Sequence, residues 1–383
     1  MIYNIDGDAL TSAYNLDGEE LQTVYDISGA IIFEKTPTPD PYRPGRLLLF
    51  EDDFSGSTIN DNYWTVEVGH NGGKSYQTKR RQNSYIQNGS YVAMVKKEDY
   101  LSNYTWTNAG ITTRGKKSWV YGRFEAKMKV APAFNSAFYL YGNNFRLTYP
   151  NDDETRDYLE NSAPSVGIYN WPQCGEIDIV ESWSYNQKSQ PQCNLWNYTG
   201  TSISHGTFPT AIDTVNNWHV YALERTRDLI IAYIDDVEYK RWDLTQLDSS
   251  AIQAYIDTPM AIILAIGIGD DRDEERMTQA QMLVDWVRVY APAGVSSPIL
   301  PESISIQDNI RQKKGYSNYM IYNISPVSAT NRDAVWSSDD ESICHCSNGV
   351  LYCDEVGETD IHVTTVNGLT ATCHVTVVNP EDY

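Results

Sequence analysis

No apolar run in the 383-residue chain reaches the ~20 residues that a membrane-crossing helix needs, so the sequence offers no membrane partner. The opening residues, MIYNIDGDAL, lack the basic segment and apolar stretch of an export leader. The expectation is a mature chain, or one that leaves the cell by another route. Basic residues are in short supply: 29 Lys and Arg face 51 Asp and Glu, a formal charge of −22. Phosphate-backbone affinity comes from Lys and Arg releasing counterions, so this balance argues against a nucleic-acid partner and, more weakly, against a densely sulfated polymer. Cysteines number six. An even count permits disulfides, but Cys344, Cys346 and Cys353 with His345 match no common zinc spacing, which leaves buried thiols or one local disulfide. Nucleotide and redox motifs are missing, so no cofactor is required.

Long amphipathic helical patterns are also missing between residues 47 and 292, where many short alternating or apolar runs stand instead, such as 121–130, 219–224, 230–235, 262–268 and 283–290. Turn residues separate them, a pattern that predicts an all-β sandwich or barrel. The 28 tyrosines and ten tryptophans fit either strand propensity or rings that pack on sugar faces. Ahead of this region the motif Tyr3-Asn4-Ile5-Asp6-Gly7 recurs at Tyr14 and Tyr25, an 11-residue repeat over 1–35. Asp-Gly flanked by apolar residues signals hairpins, and units this short must stack or associate. The repeat is either a β appendage or an attachment module through which the chain forms a homo-oligomer. A Pro-rich linker follows at 36–46, and a second linker at 293–302. Residues 303–379 have the size and strand pattern of an immunoglobulin-like β-sandwich.

The sharpest signal is the acidic strand in WPQCGEIDIVES, residues 171–182. On a strand, residues i and i+2 share a face. Glu176 and Asp178 therefore point one way, and Ile177 and Ile179 point into the core. Glu181 would follow the isoleucines and bury a charge at high cost, unless a β-bulge between Ile179 and Glu181 returns it to the acidic face. Bulges do this beside active sites. Three carboxylates in one row raise one another's pKa, and glycoside hydrolysis needs an ionised carboxylate beside a protonated one. A solvated edge strand or a calcium site would show the same residues.

The stretch Glu176-Ile177-Asp178-Ile179-Val180-Glu181 resembles the bulged Glu-x-Asp-x-x-Glu strand of glycoside hydrolase family 16, in its laminarinase-like and agarase-like branch. Asp53-Phe54-Ser55-Gly56, Ala109-Gly110-Ile111-Thr112-Thr113, Tyr121-Gly122-Arg123-Phe124-Glu125-Ala126 and Val284-Asp285-Trp286-Val287-Arg288-Val289-Tyr290 extend the resemblance over about 47–292. It implies a two-sheet β jelly roll, a concanavalin-like sandwich, that cleaves a polysaccharide substrate with retained configuration. Glu176 resembles the nucleophile, Glu181 the general acid/base, and Asp178 the helper between them. Trp171, Trp183, Trp196 and Tyr139 become candidates for sugar stacking, and Arg114 and His205 for hydroxyl contacts. A structural calcium would fall to Glu51 and Asp285, which solvated surface acids would equally explain.

The sequence departs from the laminarinase pattern at Phe134-Asn135-Ser136-Ala137-Phe138-Tyr139, at Asn194-Leu195-Trp196-Asn197-Tyr198 and at Ser182-Trp183-Ser184. Endo-β-1,3-glucanase is therefore the first expectation. An endo-β-galactosidase of the agarase, porphyranase or host-glycan type is the second, and a glycan-binding or virion adhesion protein the third. Residues 335–338, 348–350 and 356–361 resemble bacterial immunoglobulin-like group 2 domains, which implies an extracellular or virion-associated chain of phage-tail type.

Overall fold

The structure, a computed structural model, describes residues 43–70, 75–101, 103–143, 171–182, 191–196, 200–208, 212–268, 277–347 and 349–383, and the backbone of short strands between 13 and 34. In that first segment Ala13–Tyr14 pairs with Glu20–Leu21, and Thr23–Tyr25 with Ile31–Glu34. Fifteen strands then build a sandwich: β1 (Leu48–Asp52), β2 (Thr65–Val66), β3 (Ser75–Gln77), β4 (Ser90–Tyr100), β5 (Tyr104–Thr112), β6 (Gly122–Lys129), β7 (Asn135–Gly142), β8 (Glu176–Glu181), β9 (Gln192–Trp196), β10 (Ser202–Thr207), β11 (His219–Arg225), β12 (Leu229–Ile234), β13 (Val237–Asp243), β14 (Met260–Gly267) and β15 (Gln279–Tyr290). Two further short strands, Gly69–His70 and Ser84–Gln87, pair at its edge.

The front sheet runs β2–β5–β14–β7–β8–β9–β10. The back sheet runs β4–β15–β6–β11–β12–β13, with β1 beside the end of β15. β5 belongs to both, pairing with β4 near Thr107 and with β14 from Ala109 onward, and so joins the sheets along one edge. Alternation sets the packing. Phe138, Leu140, Ile177, Ile262 and Leu264 turn inward from the front sheet and meet Phe124, Leu223 and Val287 from the back sheet, all fully buried. Each such side chain contributes about 1.5–3 kcal/mol. Among the described residues no helix is long and apolar enough to cross a membrane.

The end of the Pro-rich segment is held rather than loose. Arg43 pairs with Asp236 at 2.6 Å and with Glu125 at 2.7 Å, and Arg46 with Glu224 at 3.0 Å. Arg123, itself buried, bridges the same acids from within the back sheet.

Beyond residue 300 lie β16 (Ser303–Ile306), β17 (Asn309–Lys313), β18 (Ser317–Tyr319), β19 (Tyr322–Ser325), β20 (Ala334–Ser338), β21 (Cys344–Ser347), β22 (Val350–Cys353), β23 (Gly357–Thr365) and β24 (Thr370–Val378). They form a four-stranded sheet β17–β24–β23–β20, a three-stranded sheet β18–β22–β21 and the pair β16–β19. One small core, Ile310, Met320, Leu351, Ile361, Val375 and Val377 with three buried cysteines, lies between the larger two. The six cysteines are thiols, and Cys344 Sγ lies 3.3 Å from Cys353 Sγ on the facing strand.

Candidate active site

β8 lies near the centre of the front sheet, and its register decides which side chains face outward. Against β7, Glu176 pairs with Tyr141, Asp178 with Tyr139 and Glu181 with Ala137, while Val180 pairs with Phe138. The residue left over is Ile179. The bulge is therefore present, and the extra residue falls at Ile179, one position before the expected stretch. Directly opposed residues share a face, so all three carboxylates point outward with Tyr139 and Tyr141, while Ile177, Ile179 and Val180 are fully buried. The energetic reason is that two apolar side chains enter the core at the bulge in place of one charge.

Gly175 starts the strand at φ +84°, and a Cβ there would lie 3.0 Å from Ala254 O. Only glycine takes that left-handed turn without strain. The same 252–259 turn braces the strand from below. Tyr255, fully buried, donates its hydroxyl to Glu176 O at 2.9 Å and also reaches Trp196 O. Arg225 holds the turn in place, donating to Thr258 O at 2.9 Å and Tyr255 O at 2.5 Å, and to Val120 O.

The carboxylates have separate environments. Trp171 Nε1 donates to Glu176 Oε2. Trp196 Nε1 donates to Asp178 Oδ2 at 2.8 Å, and Asn135 Nδ2 to Glu181 Oε1 at 3.4 Å. Trp171 and Trp196 meet edge to face at 5.7 Å, and Tyr139 and Tyr141 at 4.9 Å. Burial, and then the charge of Glu181, push the Glu176 carboxyl from 4.5 up to about 7, against hydrogen bonds from Trp171, Asp178 and Tyr141. Asp178, 1% exposed, is raised well above its ordinary value by burial and by the charges of Glu176 and Glu181. Within this pair the proton rests on Asp178, which donates toward Glu176.

The sequence candidates separate in space. Trp171 is 41% exposed beside Glu176, and Tyr139 and Trp196 are half-buried on the acidic face. His205 is exposed on β10 opposite Asn194, which is itself opposite Asp178, so it stands in the same cross-strand row. Arg114 is 2% exposed just beyond the end of β5, and its charge acts on the buried Glu67 and on Cys174. Trp183 lies outside the described residues. Tyr141 and Tyr255 were not among the sequence candidates. Tyr141 was within reach, since it shares a face with Tyr139 two residues away; nothing local marks Tyr255.

Glu51 and Asp285, the residues expected to hold a calcium, are each ion-paired with a basic side chain. Glu51 accepts from Arg288 at 2.7 Å, and Asp285 from Lys127 at 2.7 Å. Asp52 accepts from Trp64 Nε1 at 2.7 Å and Phe54 N at 2.8 Å. Each acid already has a donor. Among the described residues no group of three or more His, Cys, Asp or Glu is arranged to hold a metal ion.

The front sheet of a two-sheet sandwich thus carries a bulged row of three carboxylates. The family model for glycosyl hydrolases family 16 matches residues 158–288. A beta-glucanase of Rhodothermus marinus is 28% identical over 262 residues, covering 63% of this chain and 84% of that protein. The clotting factor G alpha subunit of Tachypleus tridentatus is 26% identical over 266 residues, covering 67% of this chain but only 36% of the subunit. The X-ray structure of the laminarinase from Rhodothermus marinus superposes with a TM-score of 0.51 at 27% identity, over 64% of this chain and 97% of that one. Over these residues the sandwich of this chain is similar to family 16 glycosyl hydrolases, and its fold is similar to that of a laminarinase.

Proposed function

We propose that the chain is a retaining endo-β-glycosidase that cleaves a β-1,3-glucan by double displacement. The observation that carries this reading is the β8 register, which sets Glu176, Asp178 and Glu181 on one outward face despite their odd spacing. Glu176 attacks the anomeric carbon while Glu181 gives its proton to the departing glycosidic oxygen. A covalent glycosyl-enzyme results, and Glu181 then takes a proton from the water that releases it. Asp178 keeps the proton, donates it in a hydrogen bond to the Glu176 carboxylate and so orients that group. Trp171 and Tyr139 offer aromatic faces to the sugar rings, Trp196 fixes Asp178, and His205 offers a ring nitrogen to a hydroxyl. The glucan assignment draws on relatives described as a beta-glucanase and a laminarinase.

The test is a panel of laminarin, mixed-linkage β-glucan, agarose, porphyran, carrageenan and mucin glycans, with products resolved by chromatography beside a Glu176→Gln control. Oligosaccharides from laminarin that the control does not make are expected. Products from a galactan alone would move the chain to the endo-β-galactosidase reading, and no products with retained binding would make it a glycan-binding protein.

The C-terminal sheets, through their resemblance to bacterial immunoglobulin-like group 2 domains, fit a spacer that presents the enzyme outside the cell or on a virion. The N-terminal repeats fit self-association. Light scattering of the full chain and of a chain lacking residues 1–35 should show a larger assembly only with the repeats; equal masses per chain would end that part of the proposal.

A further inference from the structure

We propose that Tyr141 is a positioning residue for the nucleophile: its hydroxyl donates to the Glu176 carboxylate and keeps that group ionised and aimed outward. This rests on the reading of Glu176 as nucleophile. Three observations place the hydroxyl there. Tyr141 lies directly opposite Glu176 in the β7–β8 register, on the face that carries all three acids. Its ring is held by the edge-to-face contact with Tyr139 at 4.9 Å, and Tyr139 is opposite Asp178, so the two tyrosines track the two acids pair by pair. A side-chain hydrogen bond from Tyr141 to Glu176 completes the arrangement.

The chemistry follows from charge. Burial and the nearby Glu176 hold the Tyr141 hydroxyl well above the usual phenol range, so it stays protonated and acts as a donor across the working pH range. Glu176 therefore receives three donors: Trp171 Nε1, the Asp178 carboxyl and Tyr141. Donors to a carboxylate favour its ionised form, against the burial and the Glu181 charge that press it toward protonation. They act in both halves of the reaction. Before attack they keep the oxygen unprotonated. When water displaces the sugar they receive the returning negative charge on the carboxylate that leaves.

Trp171 is exposed and Asp178 shares its proton with Glu176, so Tyr141 is the one of the three that is both half-buried and fixed by a neighbouring ring. Phenylalanine at 141 keeps the ring contact and removes only the donor.

The experiment compares kcat/KM against pH for the full chain and for Tyr141→Phe, on whichever polysaccharide the wild type cleaves, with thermal unfolding of both. The expected result is a loss of about tenfold or more, the scale of a hydrogen bond to a charged group. The acid limb of the profile moves to higher pH, because Glu176 loses a donor and takes up a proton more readily. An acid limb that stays in place overturns the proposal, whatever the loss in rate. If Tyr141→Phe does not fold, difluorotyrosine at 141 replaces it. This stronger donor should move the acid limb to lower pH, and an unmoved limb again overturns the proposal. Glu176→Gln is run alongside. A variant at 176 with wild-type turnover would sink the nucleophile assignment as well, whereas an inactive one beside an unmoved limb in Tyr141→Phe would sink the role of Tyr141 alone.

Discussion

Glu176→Gln should lose about 10⁴-fold or more in turnover while still folding and binding glycan, since removing a nucleophile collapses the whole catalytic unit. Gln is isosteric and keeps the acceptor that Trp171 Nε1 needs. The strand does not depend on the charge, because β8 is anchored through its backbone by Tyr255 and through Ile177, Ile179 and Val180 in the core. The loss therefore reports chemistry. Glu181→Ala should behave differently. Its acid role matters when the leaving oxygen needs a proton, so turnover should fall steeply on polysaccharide and little in the first step on an aryl glycoside with an activated leaving group. Steady-state and burst kinetics on both substrates separate the two. Equal losses for Glu181→Ala on both would count against its acid role.

The second large effect is on stability, and it runs opposite to activity. Glu176 is raised from 4.5 to about 7 in the folded chain. Between those values the folded chain still holds a proton that the unfolded chain has released, so stability falls as pH rises through the window and stays low above it. Asp178, raised by the same burial and by its neighbours, acts in the same direction. Glu176→Gln removes this penalty. It should unfold with a midpoint close to wild type at pH 4 and be more stable than wild type at pH 8, by about 3 kcal/mol. Urea unfolding at the two pH values measures it. A variant that is less stable than wild type at pH 8 would mean that the carboxylate is well satisfied as an anion, and that its raised pKa has been misread.

The acidic row was legible because its parity is wrong for a flat strand: three acids at i, i+2 and i+5 among apolar residues demand either a buried charge or a bulge. Where the bulge falls was less legible. Either Ile179 or Val180 as the extra residue restores Glu181 to the outer face, and only the partner strand, pairing Val180 with Phe138 and Asp178 with Tyr139, selects Ile179. The all-β class could be read from short alternating runs, and the sandwich and the extra C-terminal sheets are both there.

What the sequence concealed was long-range pairing. Glu51 and Asp285 look like available oxygen ligands until Arg288 and Lys127, far away in the chain, are found on them. Arg114 follows an outward-looking strand, yet the turn beyond β5 buries it near Glu67. Tyr255 lies in a short turn without any local motif and still reaches the backbone of two site strands.

The central claim is that Glu176 forms a covalent bond to sugar. A 2-deoxy-2-fluoro-β-laminaribiosyl fluoride reacts at the nucleophile of a retaining enzyme and leaves slowly, so the labelled chain can be digested and the adduct located by mass spectrometry. The account predicts one sugar per chain, on Glu176, and none on Glu176→Gln. An adduct on Asp178 or Glu181, or an active enzyme that takes no label while it cleaves laminarin, would contradict it.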